Sequence, residues 1–408
     1  MFDRRKGFGA SEGLVKRLPQ NPLLTSLDVR PSMPGLEVVS VCNAAAIRFK
    51  EEIILLLRVG ERVAVEGSFP NEPYTLNLFD ENPSPFPLKE NIKKEETVSF
   101  PWLDLRANPP QIRIVFIPKS TPGLDCSRPR FLYYKSQERR ESEFGNKKKI
   151  IMLEMSHLRL ARSQDGIHFK VEEKPSIIPQ TPPEEYGCED ARITEVEGVF
   201  YITYVSVSRF GMGTSLLTTT DFISFKRQGV IFPPDNKDVV IFPKKIQGKF
   251  VAFTRPMPES FDHLHGIWIA YSPDLRHWGD YSPIVLPRLG FWDEYRTGAG
   301  AVPFLTKEGW VEIYHGSSNN NEYSLGALLL DIEEPSKVIA RSKIPILKPT
   351  ESFESSEIIS RVVFTCGVVA LDNEAKNIRI FYGGGDKYIA GADVNVQELL
   401  DELHRQYK

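Results

Sequence analysis

Cysteine, histidine and long apolar runs are scarce in this chain of 408 residues, with 4 Cys and 7 His in all. Cys42, Cys126, Cys188 and Cys366 are widely scattered and form no C-x-x-C pair. That spacing argues against a disulfide framework or a zinc knuckle and for free thiols in a reducing compartment. No apolar run approaches the length of a membrane span. The N-terminal "MFDRRKGFGASEGLVKRLPQ" carries charge with no apolar segment behind it, unlike a secretory leader. A soluble cytoplasmic protein with no membrane partner is therefore expected. Nor is there an excess of one charge: 51 Lys and Arg face 54 Asp and Glu, a net −3, and the densest basic cluster is "NKKK" at 146–149. Nucleic acid is not an expected partner. Asp262, His263 and His265 in "DHLH" could approach a divalent ion, but a polar loop is the simpler reading, and no metal or cofactor is expected.

What the chain has is ordinary globular composition, 41% hydrophobic and 26% charged, and repetition. Five segments read as strands by alternation and by aromatic and β-branched content: "EEIILLLRVG" (51–60), "GVFYITYVS" (198–206), "GKFVAFTRP" (248–256), "EGWVEIYHG" (308–316) and "NIRIFYGGGD" (377–386). Each follows another apolar segment, beginning at Asn43, Asp190, Asp238, Gly298 and Thr365, and each precedes a third strand. Three of those third strands run into one kind of turn, "SQDGIHF", "TTDFISF" and "SPDLRHW", with Asp at the turn and an aromatic anchor after it. Five copies of an antiparallel three- or four-stranded unit predict an all-β fold, a five-bladed β-propeller over 38–394. Residues 1–37 read as an extension packing on it, and 61–155 as inserted loops, with room for an extra hairpin, in the first blade. "VQELLDELHRQYK" reads as a short C-terminal helix over 395–408, with Leu399, Leu400 and Leu403 on one side.

In a propeller, the start of each first strand and the end of each second strand ring one mouth of the central channel. Strand starts supply Asn43, Glu189, Asp190, Lys237, Asp238 and Arg296; strand ends supply Arg58, Tyr204, Arg255, His315 and Asp386. Tyr186, Trp292, Tyr295 and Tyr323 lie nearby in sequence, with Asp293 beside Trp292. Carboxylates and aromatic faces suit a sugar ring. Clustered Lys, Arg and His suit an oxyanion such as phosphate.

These residues resemble glycoside hydrolase family 130, the mannoside phosphorylases and related mannosidases. The likeness rests on "GCEDARIT", "NKDVVIFPKKIQGKFVAFTRP", "GIWIAYSPDLRHWG", "GAGAVPFLTKEGWVEIYHG", "YSLGALLLDIEEPSKVIARSKIPIL" and "VVFTCGVV". The resemblance implies a five-bladed propeller with Asp190 of the "EDAR" motif as proton donor, its proton relayed through the mannose 3-hydroxyl. It implies inorganic phosphate as co-substrate and nucleophile, giving inversion and α-mannose 1-phosphate. It places Lys237, Arg255, Arg296, His315 and Tyr323 around phosphate. Asn43, Arg58, Glu189, Asp238, Trp292, Asp293 and Asp386 are then expected at the sugar, and Arg192 as a brace for the acid's loop. The sequence departs from the family pattern at Ala191, Thr254, the "GGGD" run, and Ser360 and Arg361. These departures bear on specificity more than on reaction class.

Phosphorolysis of β-linked manno-oligosaccharides is the expected activity, because a hydrolase has no use for an oxyanion pocket. The alternative is an inverting β-mannoside hydrolase on the same scaffold, with Glu259 or Glu294 activating water. A non-catalytic carbohydrate-binding propeller is a third reading, and the retained Asp190 weighs against it. A homo-oligomer is compatible with the inserted loops and the terminal helix.

Overall fold

The computed structural model describes residues 11, 13–65, 73–78, 83–88, 94–128, 130–134, 149–258, 264–355 and 361–407. The fold is all-β with a single α-helix, Val396–Tyr407, among the described residues. No helix there is long and apolar enough to cross a membrane.

The strands form five consecutive antiparallel meanders. The first unit comprises Leu36–Phe49, Glu52–Val63, Glu154–Ser163 and Lys170–Val171. The second comprises Gly187–Val196, Val199–Ser208, Gly211–Thr219 and Lys226–Phe232. The third comprises Asn236–Ile241, Phe250–Pro256, Ile267–Ser272 and Gly279–Val285. In the fourth, Arg296–Gly298 and Phe304–Leu305 both pair with Trp310–Ser317, followed by Glu322–Leu330 and Val338–Arg341. The fifth comprises Arg361–Ala370, Asn377–Gly384 and Tyr388–Asn395. Its outermost strand is Val15–Arg17 from the other end of the chain, so the N-terminal segment contributes a strand to the last unit.

Neighbouring units are joined by short parallel bridges, Ser156 to Gly187, Glu322 to Arg361 and Ala45 to Cys366, the last linking the first unit to the fifth. Separate apolar cores fill the interfaces. Leu56, Leu158, Ile193 and Ile202 pack between the first and second units, and Leu57, Val369 and Phe381 between the first and fifth. Leu399, Leu400 and Leu403 of the helix are buried against the fourth and fifth units.

A buried carboxylate–tyrosine–arginine clamp recurs in three units. Glu184 accepts from Tyr204 Oη at 2.5 Å and Arg227 Nε at 3.1 Å. Asp293 accepts from Tyr314 Oη at 2.8 Å and Arg341 Nη2 at 2.5 Å. Glu354 accepts from Tyr382 Oη at 2.9 Å and Arg17 Nε at 2.8 Å. In each, the tyrosine lies on the second strand and the arginine on the outermost one, so the clamp ties the layers of a meander together. Arg17 performs in the fifth unit what Arg227 performs in the second. The turns after the third strands are also repeated: the Oδ1 atoms of Asp165, Asp221 and Asp274 each accept two backbone N–H bonds at 2.8–2.9 Å.

Where the sequence suggests inserted loops, two small sheets stand. One pairs Phe86–Pro87, Tyr74–Thr75, Gln111–Pro118 and Thr97–Asp104; the other pairs Leu124–Asp125, Phe131–Tyr134 and Lys149–Met152. Alternating Phe100, Trp102, Val115 and Ile117 give them a core of their own, which the density of Pro and charge around these strands obscures in the sequence. The insertion leaves the first unit after Val63 and returns at Glu154. It leans on the second unit through Tyr186 and through Arg209, whose guanidinium lies 5.6 Å from the Trp102 ring.

Candidate functional site

One backbone device, repeated in the innermost strands, aims the polar side chains. The pairing register shifts between Cys42 and Ala45, between Glu189 and Arg192, and between Lys237 and Val240. At each break one residue adopts positive φ: Asn43 at 49°, Asp190 at 47° and Asp238 at 53°. Such a bulge bends the strand and re-aims a side chain, and Asn and Asp tolerate the left-handed region better than most residues. Three polar residues at equivalent places are thus turned out of the regular alternation by the same distortion. Asp386, after the second strand of the fifth unit, also has positive φ, 60°.

The first group they form is acidic. Asn43 Nδ2 donates to Asp190 Oδ1 at 3.0 Å and lies 3.5 Å from Asp386 Oδ1. Arg58 donates to Asp190 Oδ1 at 3.1 Å and to Glu189 Oε1 at 2.8 Å, and Ser156 Oγ reaches the same Glu189 oxygen at 3.2 Å. Gly383 makes room for this arrangement, since a Cβ there would stand 2.2 Å from Asn43 Oδ1. The glycine-rich run before Asp386 therefore has a steric reason. Burial pushes the Asp190 carboxyl up, but Arg58, Lys237 and Arg192 outweigh it and hold its pKa below the ordinary carboxylate value.

The second group is cationic and gathers around one carboxylate. Asp238, 1% exposed, accepts from Arg255 Nε at Oδ2 (2.6 Å) and from Arg192 Nη2 at Oδ1 (3.3 Å), and His315 Nε2 stands 3.3 Å from the same Oδ2. Burial raises its pKa, yet Arg255, His315 and Arg192 keep it well below the usual range. Burial, with Arg255 and Arg192 beside it, lowers the His315 pKa although Asp238 pulls it up. Gly298 permits this packing: a Cβ would sit 2.4 Å from Asp238 Oδ2 and 2.5 Å from His315. Lys237 is paired across the strand with Arg255 and is one of the cations acting on Asp190. The Arg296 guanidinium lies 4.7 Å from the Tyr295 ring and 6.0 Å from that of Tyr323, which is 6.2 Å from His315. Among the described residues, buried Arg255 Nη1, Arg296 Nε and both His315 ring nitrogens lack hydrogen-bond partners. Donors left so, beside cations that outnumber their one carboxylate, suit an oxyanion of phosphate size.

Most of the residues singled out from sequence thus fall into two adjoining groups. Two do not. Asp293 is fully buried, and its oxygens are taken by Arg288 at 3.1 and 2.8 Å, Tyr314 and Arg341. It is the carboxylate of a clamp, and its expected contact with sugar gives way to that role. Trp292 is buried in the core between the third and fourth units, 5.5 Å from Tyr314, and offers no open face to a sugar. Tyr186 packs on the insertion and Tyr204 belongs to a clamp. Asp238 organises cations, with both carboxylate oxygens occupied, where sequence alone suggested contact with sugar.

Glu259, Asp262, His263 and Ser360 lie outside the described residues. Glu294 accepts the Gly290 N–H at 3.1 Å and braces its own turn. Thr254 is turned away and donates to Asn236 Oδ1 at 2.5 Å, and Ala191 is buried in core. Arg361 bonds the Pro349 carbonyl at 2.5 Å. Two residues at the site escaped sequence reasoning. Phe364, its ring 4.4 Å from His315 and 5.8 Å from the Arg192 guanidinium, precedes the register shift between Thr365 and Gly367, a signal shared with the other inner strands. Glu312 is fully buried; burial pushes its carboxyl well above the usual range, against the Gly300 N–H at 2.8 Å and Arg192.

Comparison with known proteins adds identity. Residues 147–405 match the family model described as glycoside hydrolase family 130, beta-1,4-mannooligosaccharide phosphorylase. The chain is 36% identical over 394 residues to a beta-1,2-mannobiose phosphorylase of Listeria innocua, covering 97% of this chain and 99% of that one. It is 41% identical over 248 residues to a 1,2-beta-oligomannan phosphorylase of Thermoanaerobacter sp., covering 60% of this chain and 80% of the other. The solved structure of the Listeria innocua beta-1,2-mannobiose phosphorylase with beta-1,2-mannobiose superposes with a TM-score of 0.79 at 34% identity, over 96% of this chain and 99% of that one. The family match, the full-length likeness and the shared fold lead to one conclusion: this chain belongs to glycoside hydrolase family 130.

Proposed function

We propose that the protein is an inverting phosphorylase of β-linked mannosides, with β-1,2-mannobiose and short β-1,2-manno-oligosaccharides as its preferred substrates. The observation that carries the reading is the surplus of cations around Asp238, which suits inorganic phosphate as co-substrate. The β-1,2 linkage rests on likeness to the two relatives named for it. Asp190 is the proton donor and phosphate the nucleophile. The bond from the anomeric carbon to the glycosidic oxygen breaks as that oxygen takes a proton originating on Asp190, relayed by the mannose 3-hydroxyl. A phosphate oxygen forms the new bond from the opposite face, giving α-mannose 1-phosphate. Lys237, Arg255, Arg296 and His315 hold the phosphate, with Tyr323 beside them, and stabilise the charge it carries into the transition state. Asn43, Arg58, Glu189 and Asp386 bind and orient the sugar around the acid.

The low proton affinity of Asp190 fits this order of events. With only its own side chains around it, Asp190 is held ionised by neighbouring cations. A phosphate anion beside Lys237 offsets that pull and lets the acid take up its proton once the nucleophile is in place. The five meanders are, in this reading, the blades of a closed five-bladed propeller. In support, the first and fifth units bridge at Ala45 and Cys366, and inner strands of the second to fifth units meet around Arg192.

Incubation with β-1,2-mannobiose and phosphate, followed by NMR of the anomeric proton, tests the reading. The expected product is α-mannose 1-phosphate, formed only with phosphate. Free mannose released at one rate with and without phosphate contradicts it.

A further inference from the structure

Arg192 hydrogen-bonds to both groups of the site. It is 1% exposed and projects from the inner strand of the second unit, just past the bulge that carries Asp190. Nη1 donates to the Asp190 carbonyl at 2.8 Å. Nη2 donates to Asp238 Oδ1 at 3.3 Å and to the Ala299 carbonyl at 3.1 Å, while Nε donates to the Gly300 carbonyl at 3.0 Å. The Phe364 ring lies against the guanidinium at 5.8 Å. One planar fork thus joins backbone or side chain from the second, third, fourth and fifth units, and four of its five N–H groups are in use.

We infer that Arg192 is a positioning residue that couples the acid to the phosphate pocket. At one end it holds the carbonyl of Asp190, a residue at φ 47°, and so fixes the left-handed bulge that aims the acid's carboxyl. At the other end it fixes Asp238, and Asp238 in turn orients Arg255 and His315. The Ala299 and Gly300 carbonyls belong to the segment after Gly298, whose missing side chain leaves room for Asp238 and His315. A shift of the guanidinium therefore moves both the proton donor and the groups that hold the nucleophile. Neither a lysine nor an apolar side chain can keep the coupling. Lysine preserves the charge but offers a single ammonium in place of a planar fork with fixed directions.

The inference rests on the phosphorolytic reading, and its test separates the two. Arg192→Lys is compared with wild type and with Asp190→Asn for kcat, for KM of mannoside and of phosphate, for pH profile, and for calorimetric affinity for inorganic phosphate. Coupling predicts that Arg192→Lys lowers kcat by about 10²-fold, as small misplacements of reacting groups do. It also predicts weaker phosphate binding by about tenfold or more and a displaced acid limb of the profile. Asp190→Asn, by contrast, loses turnover and keeps phosphate affinity. A folded Arg192→Lys with lower Tm but wild-type kcat, phosphate affinity and pH profile overturns the inference, as does loss of kcat alone. Should Arg192→Lys not fold, Asp238→Asn removes the same link from its other end, and the same paired loss is expected. If the wild type cleaves no β-mannoside, the phosphorolytic reading fails. Phosphate affinity then decides the inference: loss in Arg192→Lys supports it, while an unchanged affinity, or none in wild type, overturns it.

Discussion

The acidic group and the cationic group of this site are built by the same backbone bulge but carry opposite charge balances. Around Asp190, Glu189 and Asp190 both pair with Arg58, and a third carboxylate, Asp386, approaches through Asn43. Around Asp238, one carboxylate faces Arg255, Arg192 and the imidazole of His315, with Lys237 alongside. The chemistry at each place is set less by backbone geometry, which is shared, than by the residue before the bulge, Glu189 beside Asp190 and Lys237 beside Asp238. The first unit presents Arg58 opposite Cys42, and the third presents Arg255 opposite Lys237. A neutral sugar with hydroxyls suits the first group, and an anion suits the second.

The largest break in this contrast comes from Asp190→Asn. Turnover should fall by about 10²–10⁴-fold, the usual worth of a positioned general acid, while KM for phosphate does not rise. Steady-state kinetics in both substrates checks this. Arg255→Met attacks the other group: losing one partner of a buried ion pair costs about 3–5 kcal/mol, and KM for phosphate should rise far more than KM for mannoside. Gly298→Ala sharpens the comparison sterically, because the new Cβ meets Asp238 and His315. About 1–3 kcal/mol of destabilisation in a denaturant titration is expected, with weakened phosphate binding. Arg17→Met lies outside both groups. It strips Glu354 of its charged partner, so stability should drop by about 1.5–3 kcal/mol while kcat stays at the wild-type value.

The smallest effect concerns pH. Glu312 has a native pKa raised by burial, so the stability it lends is present below the ordinary value of 4.5 and is lost as pH climbs towards the native one. Asp238 has the opposite sign: its contribution is full above 3.8 and lost as pH falls through its depressed native value. Glu312→Gln should flatten the decline in Tm above pH 4.5 and leave the acid limb in place, as thermal melts across pH would show.

Much of this was legible in the chain because repetition exposes it. Alternating strands in five copies placed Asn43, Asp190 and Asp238 at corresponding starts, and the structure finds each at a bulge with positive φ. The turns of "SQDGIHF" and "SPDLRHW" are built as their Asp residues suggested. What sequence could not convey is which neighbour claims a carboxylate. Asp293 reads as a site residue beside Trp292, yet Tyr314 and Arg341 claim it from later strands. The bond between Arg17 and Glu354 spans almost the whole chain, and no local pattern announces that residues 15–17 complete the fifth unit. The insertion was obscured for another reason: short strands among Pro and charge lose the run length that makes a strand visible.

The division of labour between the two groups is tested most directly by titrating inorganic phosphate into wild type and Asp190→Asn in a calorimeter. Phosphate should bind both, and Asp190→Asn at least as tightly as wild type, since a nearby negative charge has been removed while Lys237, Arg255, Arg296 and His315 remain. Loss of phosphate binding in Asp190→Asn, or none in wild type, would contradict the account.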